Sequence, residues 1–242
     1  MRYLVISDIH ANLTALKAVL EAAGSFDAVW CMGDIVGYGP DPNECIDYLL
    51  QLPNLTCLMG NHDAAVLDQF DVNAFNHEAR QATLWTQRIL SKDHCQFLLS
   101  LPERAVVDGV TLAHGSPRQP RWEYLLDIPT AAANFSHFET DLCFVGHTHV
   151  PLFFEQDNKT GETTGQILKD GAVPEIINRM ILNPGSVGQP RDHDSRSSFA
   201  IFNSETCQWK LNRIEYDIEA VQDRMRAAGL PNRLIFRLTE GC

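Results

Sequence analysis

Asp8, His10, Asp34, Asn61, His114, His147 and His149 carry oxygen and nitrogen lone pairs of the kind that hold divalent metals. They fall in short motifs, in chain order Asp8-Ile9-His10, Gly33-Asp34-Ile35-Val36-Gly37, Gly60-Asn61-His62-Asp63, His114-Gly115 and Gly146-His147-Thr148-His149. Residues two apart on a strand point the same way, so Asp8 and His10 can face one ion as their strand ends. The same holds for His147 and His149, although neighbours on a loop can also diverge to two ions. Carboxylate, amide and imidazole together suit manganese, iron, zinc or nickel better than magnesium or calcium, which prefer oxygen cages. The motifs contain no cysteine, which argues against a structural zinc site. These ligands are too many for one ion with open positions and suit two ions sharing a carboxylate. Two ions ~3.5–4 Å apart hold a bridging water, lower its pKa and stabilise both ends of an in-line displacement at phosphorus. His62 is not needed as a ligand and is followed by Asp63. An imidazole paired with a carboxylate makes a general acid protonated near neutral pH.

Each motif follows an apolar run. Tyr3 to Ile6, Ala28 to Met32 and Leu55 to Met59 read as buried strands. Between them lie helical patterns, Asn12 to Ala23 stopped by Gly24, and Pro42 to Leu52 with proline in its first turn. This alternation predicts an α/β sheet of parallel start. Residues 64 to 101 show helical spacing without strand alternation, giving two or three helices that form either a lid or a structural layer. Asp108-Gly109 is a hairpin turn between Ala105-Val106-Val107 and Val110-Thr111-Leu112, whose second strand delivers His114. Leu142 to Val145 delivers the Gly146 motif. Strands then follow at Leu152 to Glu155, Gln166 to Leu168, Met180 to Leu182, Phe199 to Phe202 and Cys207 to Ile214. A final amphipathic helix, Ile218 to Ala228, stops at Gly229-Leu230-Pro231. No internal repeat or long linker divides residues 1–242, so one domain of two packed sheets with helices outside is expected.

The chain has 242 residues, enough for one large core, and its apolar content of 45% is an ordinary globular value. Its net charge of −12 disfavours duplex nucleic acid and anionic membranes as partners, whereas bound cations would still draw a phosphate to the site. The 7 cysteines form no Cys-x-x-Cys pair and read as reduced, buried thiols. No signal peptide or membrane span is read, so a cytoplasmic location is the expectation.

The five motifs together resemble the calcineurin-like metallophosphoesterases, and Asn183-Pro184-Gly185-Ser186 resembles the small prokaryotic branch with its phosphodiesterases and dinucleoside polyphosphate hydrolases. The resemblance spans roughly residues 3 to 202. It implies a four-layer α/β/β/α sandwich and a site at the strand ends. It implies that Asp8, His10 and His149 bind a first metal, that Asn61, His114 and His147 bind a second, and that Asp34 bridges. His62 would donate a proton, oriented by Asp63, while a hydroxide between the metals attacks phosphorus without a covalent enzyme intermediate. Two divalent ions are implied, manganese first, with iron, zinc or nickel as alternatives.

Outside the motifs, Arg191 and Arg196 are candidates to clamp non-reacting phosphates, as are Arg118 and Arg121. Tyr38 is a candidate to stack on a base or to cover the site. His77, His94, His137 and His193 lie outside every motif and are expected to be structural. The reading is hydrolysis of a phosphodiester or a phosphoanhydride of the dinucleoside polyphosphate kind, on a small phosphorylated substrate. A phosphomonoesterase or protein phosphatase is the alternative, and a non-catalytic interaction scaffold of the same fold is the rival. An intact His62 favours catalysis over the scaffold. The oligomeric state is left open.

Overall fold

In the computed structural model, which describes residues 1–242, the apolar runs become strands buried on both faces. In β1 (Arg2–Ile6), Leu4 and Ile6 join one core while Tyr3 and Val5 join another. In β2 (Ala28–Cys31), Val29 and Cys31 face the first core and Ala28 and Trp30 the second. The period of two explains this division, since successive side chains leave opposite faces of a sheet. With β3 (Leu55–Cys57), these strands pair in parallel. The strands β10 (Ser197–Asn203) and β11 (Gln208–Ile214) add antiparallel to β1, giving the order β11-β10-β1-β2-β3.

The second sheet has six strands, β4 (Arg104–Val107), β5 (Val110–Ala113), β6 (Leu142–Phe144), β7 (Pro151–Gln156), β8 (Thr163–Ile167) and β9 (Arg179–Pro184). Their order is β4-β5-β6-β9-β7-β8, with β5, β6 and β9 parallel. The expected hairpin forms, with Asp108 and Gly109 both at positive φ (49° and 78°) as a tight hairpin turn requires.

Helices α1 (Leu13–Ala23) and α2 (Pro42–Leu49) cover the outer face of the first sheet, and α6 (Ile128–Asn134) covers the second. The expected four-layer α/β/β/α arrangement of two mixed sheets is therefore found. Asn12 caps α1, its side chain accepting from the Ala15 backbone N–H at 3.0 Å. Residues 64 to 101 hold α3 (Asn61–Val66, starting earlier), α4 (His77–Ile89) and α5 (Lys92–Leu99). Leu90 and Leu98 pack into the first core, while Ala79 and Ala82 pack against the C-terminal helices. This segment thus is part of the packed frame as well as a wall of the site.

Two helices differ from expectation. α6 is too short for a helical period, and Asp127 with Pro129 only marks its start. The chain does not stop after α7 (Ile218–Ala227): Gly229-Leu230-Pro231 is a corner into α8 (Asn232–Glu240), whose Leu234, Ile235 and Leu238 are buried with Tyr38. Among the thiols, Cys31, Cys45, Cys57 and Cys143 are buried as expected, but Cys207 is exposed.

The sheets are held together through Trp30, 1% exposed, which stacks on Tyr3 with ring centroids 4.0 Å apart and touches Phe144 and Phe202. Trp30→Ala is expected to cost about 3–5 kcal/mol of unfolding free energy, checked by denaturant titration against Phe236→Ala, an exposed control expected to change stability little.

Candidate metal centre

The motif residues follow the C-terminal ends of strands from both sheets, in loops except for Asn61 to Asp63, which open α3. β1 leads to Asp8 and His10, β2 to Asp34, β3 to Asn61, β5 to His114, and β6 to His147 and His149. Five of these seven side chains sit on left-handed backbone, with φ of 54° at Asp8, 49° at His10, 53° at Asp34, 66° at His147 and 60° at His149. Non-glycine residues rarely adopt this region, at about 1–3 kcal/mol each. Backbone bonds between loops hold them there: Asp8 N–H to Gly33 O (3.0 Å), His10 N–H to Asp34 O (3.0 Å) and Gly146 N–H to His114 O (2.8 Å). Gly60 admits a close approach, since a Cβ there would lie 2.1 Å from Asp34 Oδ1.

The donor atoms form two groups sharing one carboxylate. Asp8, His10, Asp34 and His149 make the first, and Asp34, His114 and His147 the second. Asp34 Oδ2 lies 3.7 Å from His10 Nε2 and 3.3 Å from His114 Nε2. Asn61 Oδ1 joins the second group at 3.1 Å from His114 Nε2, itself 3.2 Å from His147 Nδ1. The structure thus brings all seven expected residues together.

Three imidazoles are oriented by backbone carbonyls. Nδ1–H donates to Val36 O from His10 (3.2 Å), to Met32 O from His114 (2.9 Å) and to Gln189 O from His149 (2.5 Å). Each Nε2 is thereby left to act as a ligand, the arrangement typical of metal-binding histidines. His10 Nε2 and His149 Nε2 lie 3.1 Å apart. Burial holds both rings well below the usual histidine pKa, against the pull of Asp34, so two lone pairs confront each other. The facing carboxylate oxygens Asp8 Oδ1 and Asp34 Oδ2 are buried without any hydrogen bond. A cation relieves both deficits at once, so the residues fit a pair of divalent ions.

The charges respond to burial and to one another. Burial pushes the Asp8 carboxyl up to about 7, with Asp34 adding to the rise. Burial also opposes ionisation of Asp34, but the neighbouring His114 and His62 win and hold it well below the usual carboxylate range. Burial opposes protonation of His114, yet the charge of Asp34 beside it raises it to about 9, a proton that a cation bound at Nε2 would displace. Asp34 is therefore the stable anion of the cluster.

Comparison with known proteins agrees with this geometry. The model of the calcineurin-like phosphoesterase superfamily domain matches residues 1–206. The chain belongs to the calcineurin-like phosphoesterase superfamily. It resembles a metallophosphoesterase of Sphaerobacter thermophilus, at 47% identity and a TM-score of 0.91, with 100% of this chain and 99% of that one covered. An uncharacterized protein of Methanocaldococcus jannaschii is 37% identical, over 98% of this chain and 97% of its own. The symmetrical bis(5′-nucleosyl)-tetraphosphatase of Pseudomonas entomophila matches at 36% identity over 66 residues only, 26% of this chain and 23% of that protein. As a member of this superfamily, the chain is a hydrolase of phosphoric esters, and the superfamily typically works with two metals.

Around the superfamily's donor cluster, several expectations need correction. His62 lies beside the centre, its ring edge-on to His10 (5.0 Å) and stacked on Phe75 (4.7 Å). It does not pair with Asp63. The Asp63 oxygens instead accept from the Val36 N–H (3.1 Å) and the Gly60 N–H (3.0 Å), fixing the loops that carry Asp34 and Asn61. His62 is anchored by its own backbone N–H, which donates to Asp34 Oδ1 at 2.8 Å. Burial lowers its pKa to about 4 despite Asp34, so the ring is neutral at pH 7 rather than protonated. Gly37, at φ 90°, makes room for it, since a Cβ there would meet His62 Nδ1 at 2.8 Å.

Tyr38 is buried with its ring against His10 (4.6 Å) and His62 (4.3 Å), so it covers the histidines and offers no free face. Arg191 reaches the Tyr38 hydroxyl at 3.4 Å and Gln189 Oε1 at 3.0 Å and has no carboxylate partner. Arg196 is committed elsewhere, to Asp194 (2.7 Å) and Asp170 (2.9 Å), because the chain places both acids beside it. Arg118 pairs with Glu123 and Arg121 with Glu103. His94 bonds Asn43 and Asp47, a structural role as expected.

Phe75 and Tyr124 were not foreseen. Tyr124 stacks on His147 with centroids 3.9 Å apart. Tyr124 lies in a loop without periodic neighbours, and the helical spacing of residues 64 to 101, which includes Phe75, does not tell that its ring meets His62. Asn183, noted only as a branch marker, donates to Gly146 O (2.7 Å) and Thr148 Oγ1 (3.0 Å), and Ser186 Oγ donates to Asp8 O (2.9 Å). Asp34→Asn is expected to weaken both cations by at least about tenfold, the scale of one charged contact. Manganese titration by calorimetry checks this, and two ions bound at wild-type affinity would contradict the bridging role.

Proposed function

We propose that the chain hydrolyses a phosphodiester or a phosphoanhydride of the dinucleoside polyphosphate kind, on a small substrate, with two divalent cations. The observation that carries this reading is Asp34 Oδ2, buried without a hydrogen bond between two sets of imidazoles. Asp8, His10 and His149 would hold one ion, Asn61, His114 and His147 the other, and Asp34 both. Manganese is the first choice, with iron, zinc or nickel as alternatives for the same donors. When bound, the ions supply Lewis-acid stabilisation and an activated water for displacement at phosphorus.

The chain's own groups do the rest. The backbone carbonyls of Val36, Met32 and Gln189 keep three imidazoles in the ligand tautomer. Tyr38 and Phe75 shield His62 from water. His62 Nδ1 is buried without a partner, which leaves Nε2 as the nitrogen that faces the substrate and gives the leaving oxygen its proton. A phosphate beside it adds negative charge and raises the low resting pKa toward neutrality. Arg191, free of carboxylates, would bind a non-reacting phosphate oxygen. The aromatic walls around the cluster support a small extended substrate over a folded phosphoprotein. The unpaired thiols support a reducing, cytoplasmic setting.

The test is a panel of bis-p-nitrophenyl phosphate, p-nitrophenyl phosphate, diadenosine tetraphosphate and a phosphopeptide, each with manganese, iron, zinc and nickel. Diester or anhydride turnover should exceed that of the monoester and the peptide, and preference for the phosphopeptide would contradict the reading. His62→Ala should keep both ions and lose about 10²–10⁴ in kcat, measured by elemental analysis beside kinetics. Metal loss parallel to activity loss would make His62 a ligand instead.

A further inference from the structure

Beside the metal centre lies a cleft of about 600 Å³ whose inner wall is Arg191. Arg191 is shared between the two spaces: its backbone N–H donates to His149 O at 3.2 Å and its guanidinium sits 5.7 Å from the Tyr38 ring centre. Tyr38 also packs against His62, 4.3 Å between ring centres. Arg191 therefore borders both the donor cluster and the cleft.

The cleft's charges are unequally satisfied. Arg213 pairs with Asp192, and Arg196 with Asp194 and Asp170, so these neutralise one another. Arg191 and Lys169 have no carboxylate partner, and Arg191 Nε is buried with no partner at all. Among the acids, Asp192 gives Oδ2 to Arg213 while its Oδ1 is buried without a partner. Val150, Ile167 and Leu168 form an apolar side. Unpaired cations call for an anion, an unpaired carboxylate oxygen for a hydroxyl or amine donor, and the apolar side for a flat or aliphatic face.

The geometry points to this cleft as the seat of one half of the substrate: an anionic group next to the scissile phosphorus, held by Arg191 and Lys169, followed by a hydroxyl- or amine-bearing ring that donates to Asp192. This rests on the phosphoesterase reading of the metal centre and adds to it a substrate shape. It is a phosphoanhydride with a polar ring beyond the second phosphate, in preference to a simple diester.

Two exposed positions test it without touching the core, Lys169→Glu, which reverses the charge, and Ile167→Trp, which fills the mouth. The manganese-loaded variants are compared on diadenosine tetraphosphate and on bis-p-nitrophenyl phosphate, which lacks a second phosphate. The ratio of kcat/KM for the first substrate over the second should fall at least about tenfold in each variant, one charge-assisted contact's worth. An unchanged ratio overturns the cleft assignment and leaves the phosphoesterase reading standing. If the wild type turns over neither substrate, the phosphoesterase reading fails, and the cleft is decided by equilibrium binding of adenosine 5′-diphosphate. Binding at least about tenfold weaker in Lys169→Glu supports it, and equal binding overturns it.

Discussion

Asp34 Oδ2 is a buried carboxylate oxygen that accepts no hydrogen bond while facing imidazoles from both sheets. Leaving such an oxygen without a hydrogen-bond donor is costly, because burial strips its hydration and only the neighbouring imidazoles offset its charge. Around it, Asp8 Oδ1 is equally unpaired, and two imidazole lone pairs meet at 3.1 Å. The strand ends, the glycines and the carbonyl anchors all serve to hold these repelling groups together. Five of the donor-bearing residues also sit on left-handed backbone, at about 1–3 kcal/mol each. A tightly held transition-metal ion contributes on the order of 10 kcal/mol, enough to outweigh much of that strain. The donors of the cluster thus fit divalent cations.

The two sheets are what allow this convergence. Parallel strands send their C-terminal ends to one side, so β1, β2 and β3 place Asp8, His10, Asp34 and Asn61 together, and β5 with β6 does the same for His114, His147 and His149. Packing through Trp30, Tyr3 and Phe144 then sets the two edges face to face. The C-terminal helices close the other side by burying Tyr38, whose ring lies on His10 and His62. A fold-level interaction and a site-level one therefore meet in a single side chain.

Much of this could be read from the amino-acid order. Short apolar runs ending in Asp, Asn or His gave both the strands and the donors, because backbone direction carries a strand's last side chain into the loop beyond. What could not be read depends on long-range geometry. Asp63 follows His62 in the chain but points to the Val36 and Gly60 N–H groups instead, and adjacency in sequence carries no such information. Arg191 and Arg196 look equivalent in their segment, yet only Arg196 finds acids nearby, one of them Asp170 on a distant turn. Helix α8 was hidden behind Gly229-Leu230-Pro231, a combination that ends a helix locally and turns a corner only when another apolar face waits to be covered. Of the aromatics packed around the donors, Tyr124 sits in irregular chain, and the helical spacing around Phe75 does not tell that its ring stacks on His62.

The arrangement around Asp34 fits two cations that share its carboxylate. Crystals grown with manganese and measured for anomalous scattering test it directly. Two peaks are expected about 3.5–4 Å apart, both in contact with Asp34, one against His10 and His149 and the other against His114 and His147. A single peak, or two peaks that do not share Asp34, would contradict it.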